Sequence, residues 1–300
     1  MSSPTNRPLH RAPIALVEET APRASQPRIG LALGGGSSRG IAHILILEAL
    51  DELGIKPAII AGTSMGAICG AAYATGMNGA EIRAMFEHSF SSRGAFFARF
   101  ANKLRGGFSS LWSIRAPIVL DNVTLFEMLL PEQMRCDFAA LKIPFVAVAA
   151  DFYAMEQVVL DRGPLIPALA ASCALPSLAR PVVIEGKVLI DGGFVNPIPF
   201  DVIKDRSDIT IGVDVVGDTQ RGGDTLVPGV FDAITGSQQL LFHSITREKL
   251  RSVAPDILIR PDVGSFAAMD YFKINEILAS AAPAKEELKR KLGERLSQQL

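Results

Sequence analysis

The sequence predicts an α/β fold with parallel strands, and three features carry that prediction. Short apolar runs bounded by glycine or proline recur along the chain, the first two alternate with stretches of helical periodicity, and each of those two ends in a glycine-containing turn. The 300 residues are 48% hydrophobic and 20% charged, a globular composition with chain enough for a sizeable core. A formal net charge of −1 gives no global electrostatic reason to expect a nucleic acid partner.

Residues 1–27 are rich in Pro, Arg and Ser, and their apolar run Ile14-Ala15-Leu16-Val17 is too short for a signal-peptide core. They are expected to be a disordered tail, with residues 28–300 forming one domain. Residues 28–33 (RIGLAL) read as a buried strand broken by Gly34, Gly35 and Gly36. Residues 41–53 carry apolar side chains at helical spacing, with Glu48, Asp51 and Glu52 on the other side and Gly54 as C-cap. Residues 57–61 form a second strand that leads into Ser64 and a helix of small residues, which makes a parallel βαβ unit.

Further strands are expected at 144–150, 208–216 and 256–260, and a hairpin over 182–190 delivers Asp191, Gly192 and Gly193. Residues 284–300 read as a charged amphipathic helix whose mixed signs suit a solvated face. No segment offers the ~18 uninterrupted apolar residues of a membrane span. Cys69, Cys136 and Cys173 are widely spaced in apolar or helical settings, which predicts reduced, buried thiols in a cytosolic protein rather than disulfides or a zinc site.

Ser64 stands in Gly62-Thr63-Ser64-Met65-Gly66. This Gly-x-Ser-x-Gly pattern suits a sharp strand-to-helix turn that exposes the hydroxyl, although an ordinary turn would also fit it. The first glycine loop, LALGGGSSRG, allows three readings. A dinucleotide site wants an acid ending a second strand about 20 residues on, whereas Glu48, Asp51 and Glu52 lie on the intervening helix. A Walker A loop needs a Gly-Lys-Ser/Thr sequence that is absent. The third reading is a cradle of backbone N–H groups at a helix N-terminus, aimed at a developing oxyanion.

A serine nucleophile needs a base. His10 lies in the tail, His43 reads as a partly buried structural histidine, and His88 and His243 occupy helical, apolar settings. The order Ser64, Asp191, His243 formally satisfies an α/β-hydrolase triad, but too little chain precedes Ser64 for that fold. The alternative is that Asp191 acts directly. A free aspartate has a pKa near ~3.9 and is a weak base at neutral pH, which partial burial would correct. An ordinary Asp-Gly turn is the competing reading.

GLALGGGSSRG, GTSMG and DGGFVNPIP, in that order, resemble the three signature blocks of the patatin-like phospholipases. LIPALAASCALPSLARPVVIEGKVLIDGG also resembles the small-residue helix and proline that precede the family's aspartate. The bacterial members and the esterase domain of the neuropathy target esterase group look most similar. The resemblance implies a patatin-like three-layer fold with a mainly parallel central sheet and helices on both faces.

It also implies Ser64 as nucleophile and Asp191 as proton acceptor, in a Ser-Asp dyad without histidine. Gly34, Gly35, Gly36 and Ser37 would form the oxyanion hole, and Arg39, Gly40, Gly62, Gly66, Gly192 and Gly193 would support the motifs. Ser37 and Ser38 stand where many members have Gly or Ala, and Cys173 falls in the small-residue helix. Arg39 is open to two roles, facing a substrate phosphate or capping the loop.

The implied activity is that of a serine lipid acyl hydrolase of phospholipase A, lysophospholipase or esterase type. Its substrate would be a phospholipid, lysophospholipid or other acyl ester, with no cofactor and no metal. An acyltransferase on the same dyad and a non-catalytic lipid- or partner-binding module stay open as alternatives. The implied setting is the cytoplasm, with peripheral contact to a membrane surface as an open possibility. That contact would fall on residues 88–120, where Arg93, Arg99, Lys103, Arg105 and Arg115 mix with phenylalanines and Trp112. The mixture suits an interfacial lid, and a helix pair covering the core is the other reading.

Overall fold

The computed structural model describes residues 27–90, 121–176, 178–216, 227 and 229–298. The expected tail up to residue 26, and residues 91–120 of the candidate lid, lie outside them. Among the described residues, β1 (Ile29–Leu33), β2 (Ile59–Thr63), β3 (Phe145–Asp151), β4 (Glu156–Leu160), β5 (Val182–Ile184), β6 (Lys187–Asp191), β7 (Ile209–Val213) and β8 (Ile257–Ile259) form one sheet of order β5-β6-β3-β2-β1-β7-β8, with β4 on β3. The run from β3 through β2, β1 and β7 to β8 is parallel. The strands β4, β5 and β6 add antiparallel pairs.

Parallel strands covered on both faces read as continuous apolar runs, and β1, β2, β3 and β7 are buried along their whole lengths. The helices are α1 (His43–Glu52), α2 (Met65–Ala74), α3 (Gly79–Ser89), α4 (Asn122–Leu129), α5 (Leu165–Ser172), α6 (Val230–Ser252) and α7 (Ile274–Ser297). On one face Leu31, Leu33 and Ile60 pack in a large core with α1, α2, α5 and α7. On the other, Ala32, Ile59, Ala61 and Val146 meet Phe200, Ile203 and, on α6, Leu250. The sheet is thus the middle of three layers, the second outer layer being the thinner.

The helix expected over 41–53 begins with a 3-10 turn, Ser37–Ala42, before α1. It ends as foreseen: Gly54 takes a positive φ of 65°, Ile55 N–H donates to Leu50 O (2.9 Å) and Gly54 N–H donates to Asp51 O (3.0 Å). Those two bonds satisfy the last carbonyls of the helix. The final helix starts earlier than the sequence indicates, because Pro283 lies inside it. Proline forfeits one ladder bond there, and the buried stripe Ile277, Leu278, Ala281, Ala284, Leu288 and Leu292 outweighs it. Lys285 of α7 lies between Glu48 (3.1 Å) and Glu52 (2.6 Å) of α1.

The register of β3 explains how the two halves of the site meet. One edge of β3 carries β4 from Ala147 to Asp151. The other edge is shared: β2 pairs along it up to Thr63 opposite Val148, and β6 pairs from Asp191 opposite Ala149 onward. A parallel strand and an antiparallel one therefore end nose to nose on neighbouring residues. Gly192 turns away directly over the Val148 carbonyl, where a Cβ would lie 2.2 Å from the oxygen.

Two glycine substitutions in helices should have opposite effects. A Cβ on Gly66 would lie 2.1 Å from Leu33 O, whereas one on Gly293 would meet nothing within 4 Å. Gly66→Ala is expected to cost about 3 kcal/mol or more and lower Tm by at least about 6 °C. Gly293→Ala should raise stability by about 0.5–1 kcal/mol. Thermal melts of the two variants beside the parent check both signs.

Candidate active site

Ser64 occupies the turn between β2 and α2 with φ 53° and ψ −122°. A non-glycine residue in this region stores about 1–3 kcal/mol, and such strain collects at functional sites. The turn is held from both sides. The Ser64 carbonyl accepts from the amides of Ala67 (2.8 Å) and Ile68 (3.2 Å) to start α2. The Ser64 N–H donates to Ser172 Oγ (3.0 Å), and Ser172 Oγ–H donates to Val148 O (2.6 Å). Ser172, fully buried at the end of α5, thus ties the Ser64 turn to the strand junction. Gly62 is pressed against Ala67, and Gly66 against the end of β1.

Asp191 ends β6, beside that turn, with 1% of its surface exposed. Its Oδ1 accepts from Gly193 N–H (2.8 Å), and its own N–H donates to Ala174 O (3.0 Å). Burial pushes its carboxyl up to about 6, opposed by the Gly193 amide and by the Ser64 hydroxyl as hydrogen-bond partners. Gly193 lies against the Phe242 ring, which closes that side of the turn.

The pocket around this pair has a volume of about 360 Å3 and is lined largely by apolar side chains, among them Met65, Ile68, Phe86, Phe90, Leu125 and Phe126. No histidine, lysine or arginine lines it among the described residues. Nothing there neutralises Asp191, so desolvation governs its ionisation. His43 is fully buried on α1, where Nε2–H donates to Gly34 O (2.8 Å) and burial lowers its pKa to about 4. It is a neutral support of the glycine loop. His88 and His243 lie outside the pocket, so the order Ser64, Asp191, His243 does not assemble.

The glycine loop does lie beside Ser64: a Cβ on Gly35 would stand 3.2 Å from Ser64 Cβ. The oxyanion assignment needs correction. Gly34 N–H donates to Val213 O (3.0 Å) and Gly35 N–H to Pro197 O (2.9 Å), bonds that anchor the loop and leave neither amide for a ligand. The Gly36 and Ser37 amides have no partner among the described residues. Gly40 packs against Met65, which joins the loop to α2.

Arg39 caps the loop. It is buried, with Nε donating to Phe266 O (2.8 Å), one terminal nitrogen to Val216 O and the other to Gln239 Oε1 (3.3 Å). A guanidinium so occupied has little left for a substrate phosphate. Cys69 is buried as expected, whereas Cys136 is half-buried and Cys173 lines the pocket beside Ser64 and Asp191. Burial and the nearby Asp191 raise the Cys173 thiol well above its ordinary value, which keeps it protonated.

Ser172 and Tyr271 had escaped the sequence reading. Ser172 left a faint trace as the one hydroxyl in a run of alanines, and Tyr271 left none. Among the described residues no three His, Cys, Asp or Glu side chains gather as a metal site requires. Nor is any helix there long and apolar enough to cross a membrane.

The site therefore combines a strained serine elbow, a buried carboxylate beside it and a glycine loop with two amides left without a partner among the described residues. Residues 31–203 match the family model described as patatin-like phospholipase, and the chain belongs to that family. An uncharacterized NTE family protein of Mycobacterium tuberculosis (strain ATCC 25618 / H37Rv) is 35% identical over 195 residues, which are 65% of this chain and 51% of that protein. Lysophospholipase NTE1 of Candida albicans is 26% identical over 278 residues, covering 84% of this chain and 19% of that protein. The chain therefore spans about half the length of the mycobacterial relative and far less of the fungal one. Among solved structures, VipD from Legionella pneumophila aligns over 89% of this chain and 67% of its own, with 13% identity and a TM-score of 0.47, too distant to bear on activity.

Removing the Ser172 hydroxyl should loosen the elbow without emptying the pocket. Ser172→Ala is expected to slow any Ser64-dependent reaction about 10-fold while the protein stays folded. Labelling kinetics beside a thermal melt check this.

Proposed function

We propose that this protein is a serine lipid acyl hydrolase using a Ser64–Asp191 dyad. The observation that carries the reading is the co-location of a strained serine and a buried, uncompensated carboxylate in one apolar pocket. Each lowers stability, and neither serves packing. Departures of this kind are expected where function requires them. A binding module would have no use for them.

In the reaction, Ser64 Oγ attacks the ester carbonyl carbon while its proton passes to Asp191. The oxyanion forms against the amides of Gly36 and Ser37, each such donor contributing roughly 2.7–4 kcal/mol to lowering the barrier. The proton on Asp191 then goes to the departing alkoxide, and the C–O bond breaks to leave an acyl-Ser64 ester. Water attacks that ester, gives its proton to Asp191 and releases the fatty acid, and Ser64 regains the proton. The helix N-terminus behind Ser64 adds a favourable field for the developing negative charge.

The apolar lining fits an acyl chain, so the substrate is a phospholipid, a lysophospholipid or another acyl ester, met at a membrane surface. The Candida relative, a lysophospholipase by name, points the same way. Residues 28–300 are assigned as the hydrolase domain.

A fluorophosphonate probe, with the adduct located by peptide mass spectrometry, tests the reading. The adduct is expected on Ser64. Ser64→Ala and Asp191→Asn should each lower ester turnover by at least about 1,000-fold, with Asp191→Asn folded and at least as heat-stable as the parent at pH 8. That stability follows from the sign of the shift: a carboxyl whose pKa is raised on folding costs stability progressively as pH rises from the ordinary carboxylate range through about 6, the cost is fully present at pH 8, and asparagine carries no charge. A folded Asp191→Asn protein with parental turnover would refute the dyad.

A further inference from the structure

Ser37 has an unusual backbone for its residue type. Its φ is 51°, in the left-handed region where glycine is free and any other residue is strained. Four non-glycine residues adopt positive φ among the described residues, and of these only Ser37 and Ser64 line the catalytic pocket. A side chain is therefore kept at a strained position within the pocket. Its amide does not explain this, because glycine would supply the same N–H.

The hydroxyl has a neighbour held in place from another part of the chain. Residues 266–271 are fastened against the turn that begins at Ser37. Ser38 Oγ donates to Ala267 O (2.8 Å), Ser38 N–H to Ala268 O (3.2 Å) and Arg39 Nε to Phe266 O (2.8 Å). The segment is stiffened internally by Ala267 N–H donating to Asp270 Oδ2 (2.9 Å). It ends with Tyr271 stacked on Phe90, ring centroids 5.2 Å apart, and Tyr271 lines the same pocket as Ser37, Ser64 and Asp191. Burial, with Cys173 and Asp191 nearby, raises the Tyr271 pKa and keeps the phenol protonated, while the Ser37 hydroxyl, on the same pocket wall, acts in the opposite sense as a partner that favours the ionised phenol.

We propose that the Ser37 hydroxyl is an additional oxyanion donor and that Tyr271 is the residue that orients it. The inference rests on the hydrolase reading above. Both hydroxyls can donate or accept; when the phenolic O–H turns to Ser37 Oγ, the serine proton is released to point at the substrate oxygen as it becomes negative. No bond to Tyr271 is made or broken during turnover. Ser37 touches the reacting oxygen, and Tyr271 acts only through Ser37.

The test measures kcat and KM on a p-nitrophenyl acyl ester for Ser37→Gly, Ser37→Ala, Tyr271→Phe and the double variant Ser37→Gly/Tyr271→Phe, each with a thermal melt. Both Ser37 variants keep the amide, and glycine also relieves the strained φ. The expected result is a loss in kcat of about 100-fold in both, the size of one lost oxyanion donor, with KM within about 2-fold. Ser37→Gly should melt no lower than the parent. Tyr271→Phe keeps the stacked ring and should lose about 10-fold in kcat. In the Ser37→Gly background it should lose nothing further, because its action passes through the missing hydroxyl.

Parental kcat in either Ser37 variant would overturn the inference. So would an undiminished Tyr271→Phe effect in the Ser37→Gly background, which would show Tyr271 acting elsewhere. A parent protein with no esterase activity and no adduct on Ser64 would instead sink the hydrolase reading, and this inference with it.

Discussion

On the shared edge of β3, β2 ends opposite Val148 and β6 ends opposite Ala149. Strands of opposite direction meet end to end there, and each releases its chain at the same level of the sheet. Ser64 follows the last residue of one, and Asp191 is the last residue of the other. The Val148 carbonyl, left without a strand partner beyond the junction, is taken by the Ser172 hydroxyl, which also receives the Ser64 amide. Gly192 is the one residue type that can pass over that carbonyl. Shift either strand by one residue and the side chains that now face each other would point to opposite faces.

That junction also sets the electrostatics. It places a buried carboxylate in a pocket that no cation lines among the described residues, so burial raises its pKa instead of pairing lowering it. A base is most useful when its pKa lies near the working pH, and in the proposed dyad a value of about 6 would meet that need without a histidine. His43 illustrates the opposite use of burial. Kept neutral, it spends its one N–H on the Gly34 carbonyl and stiffens the donor loop. The glycine loop divides in two: the Gly34 and Gly35 amides anchor it, the Gly36 and Ser37 amides have no partner among the described residues, and Ser37 lines the pocket.

Much of this could be read from the residues, and what could not has a common cause. Ser64 with Gly62 and Gly66 was legible because a tight elbow is a local requirement of a few neighbouring residues. Asp191 was legible because a hairpin and two following glycines announce a close backbone approach. The direction of an amide is set by what lies across from it, so nothing local distinguishes Gly34 and Gly35 from Gly36. Ser172 and Tyr271 reach the site from distant segments. The strand β4 escaped because its sequence, EQVVL, does not alternate polar and apolar residues and its side chains are largely exposed; backbone pairing to β3 holds it. Pro283 hid the first part of α7, since a local breaker was outweighed by a buried stripe formed only in the fold.

The claim on which the account turns is that a buried, uncompensated Asp191 is the base for Ser64. The pH dependence of the rate at which a fluorophosphonate labels Ser64 tests it directly. Labelling requires ionised Asp191, so the rate should fall as pH drops through about 6 and level off above it, governed by a single ionisation. The residual labelling of Asp191→Asn should show no such step. A rate that stays constant through pH 6 and falls only near the ordinary carboxylate range, or a step near 6 that survives in Asp191→Asn, would contradict the account.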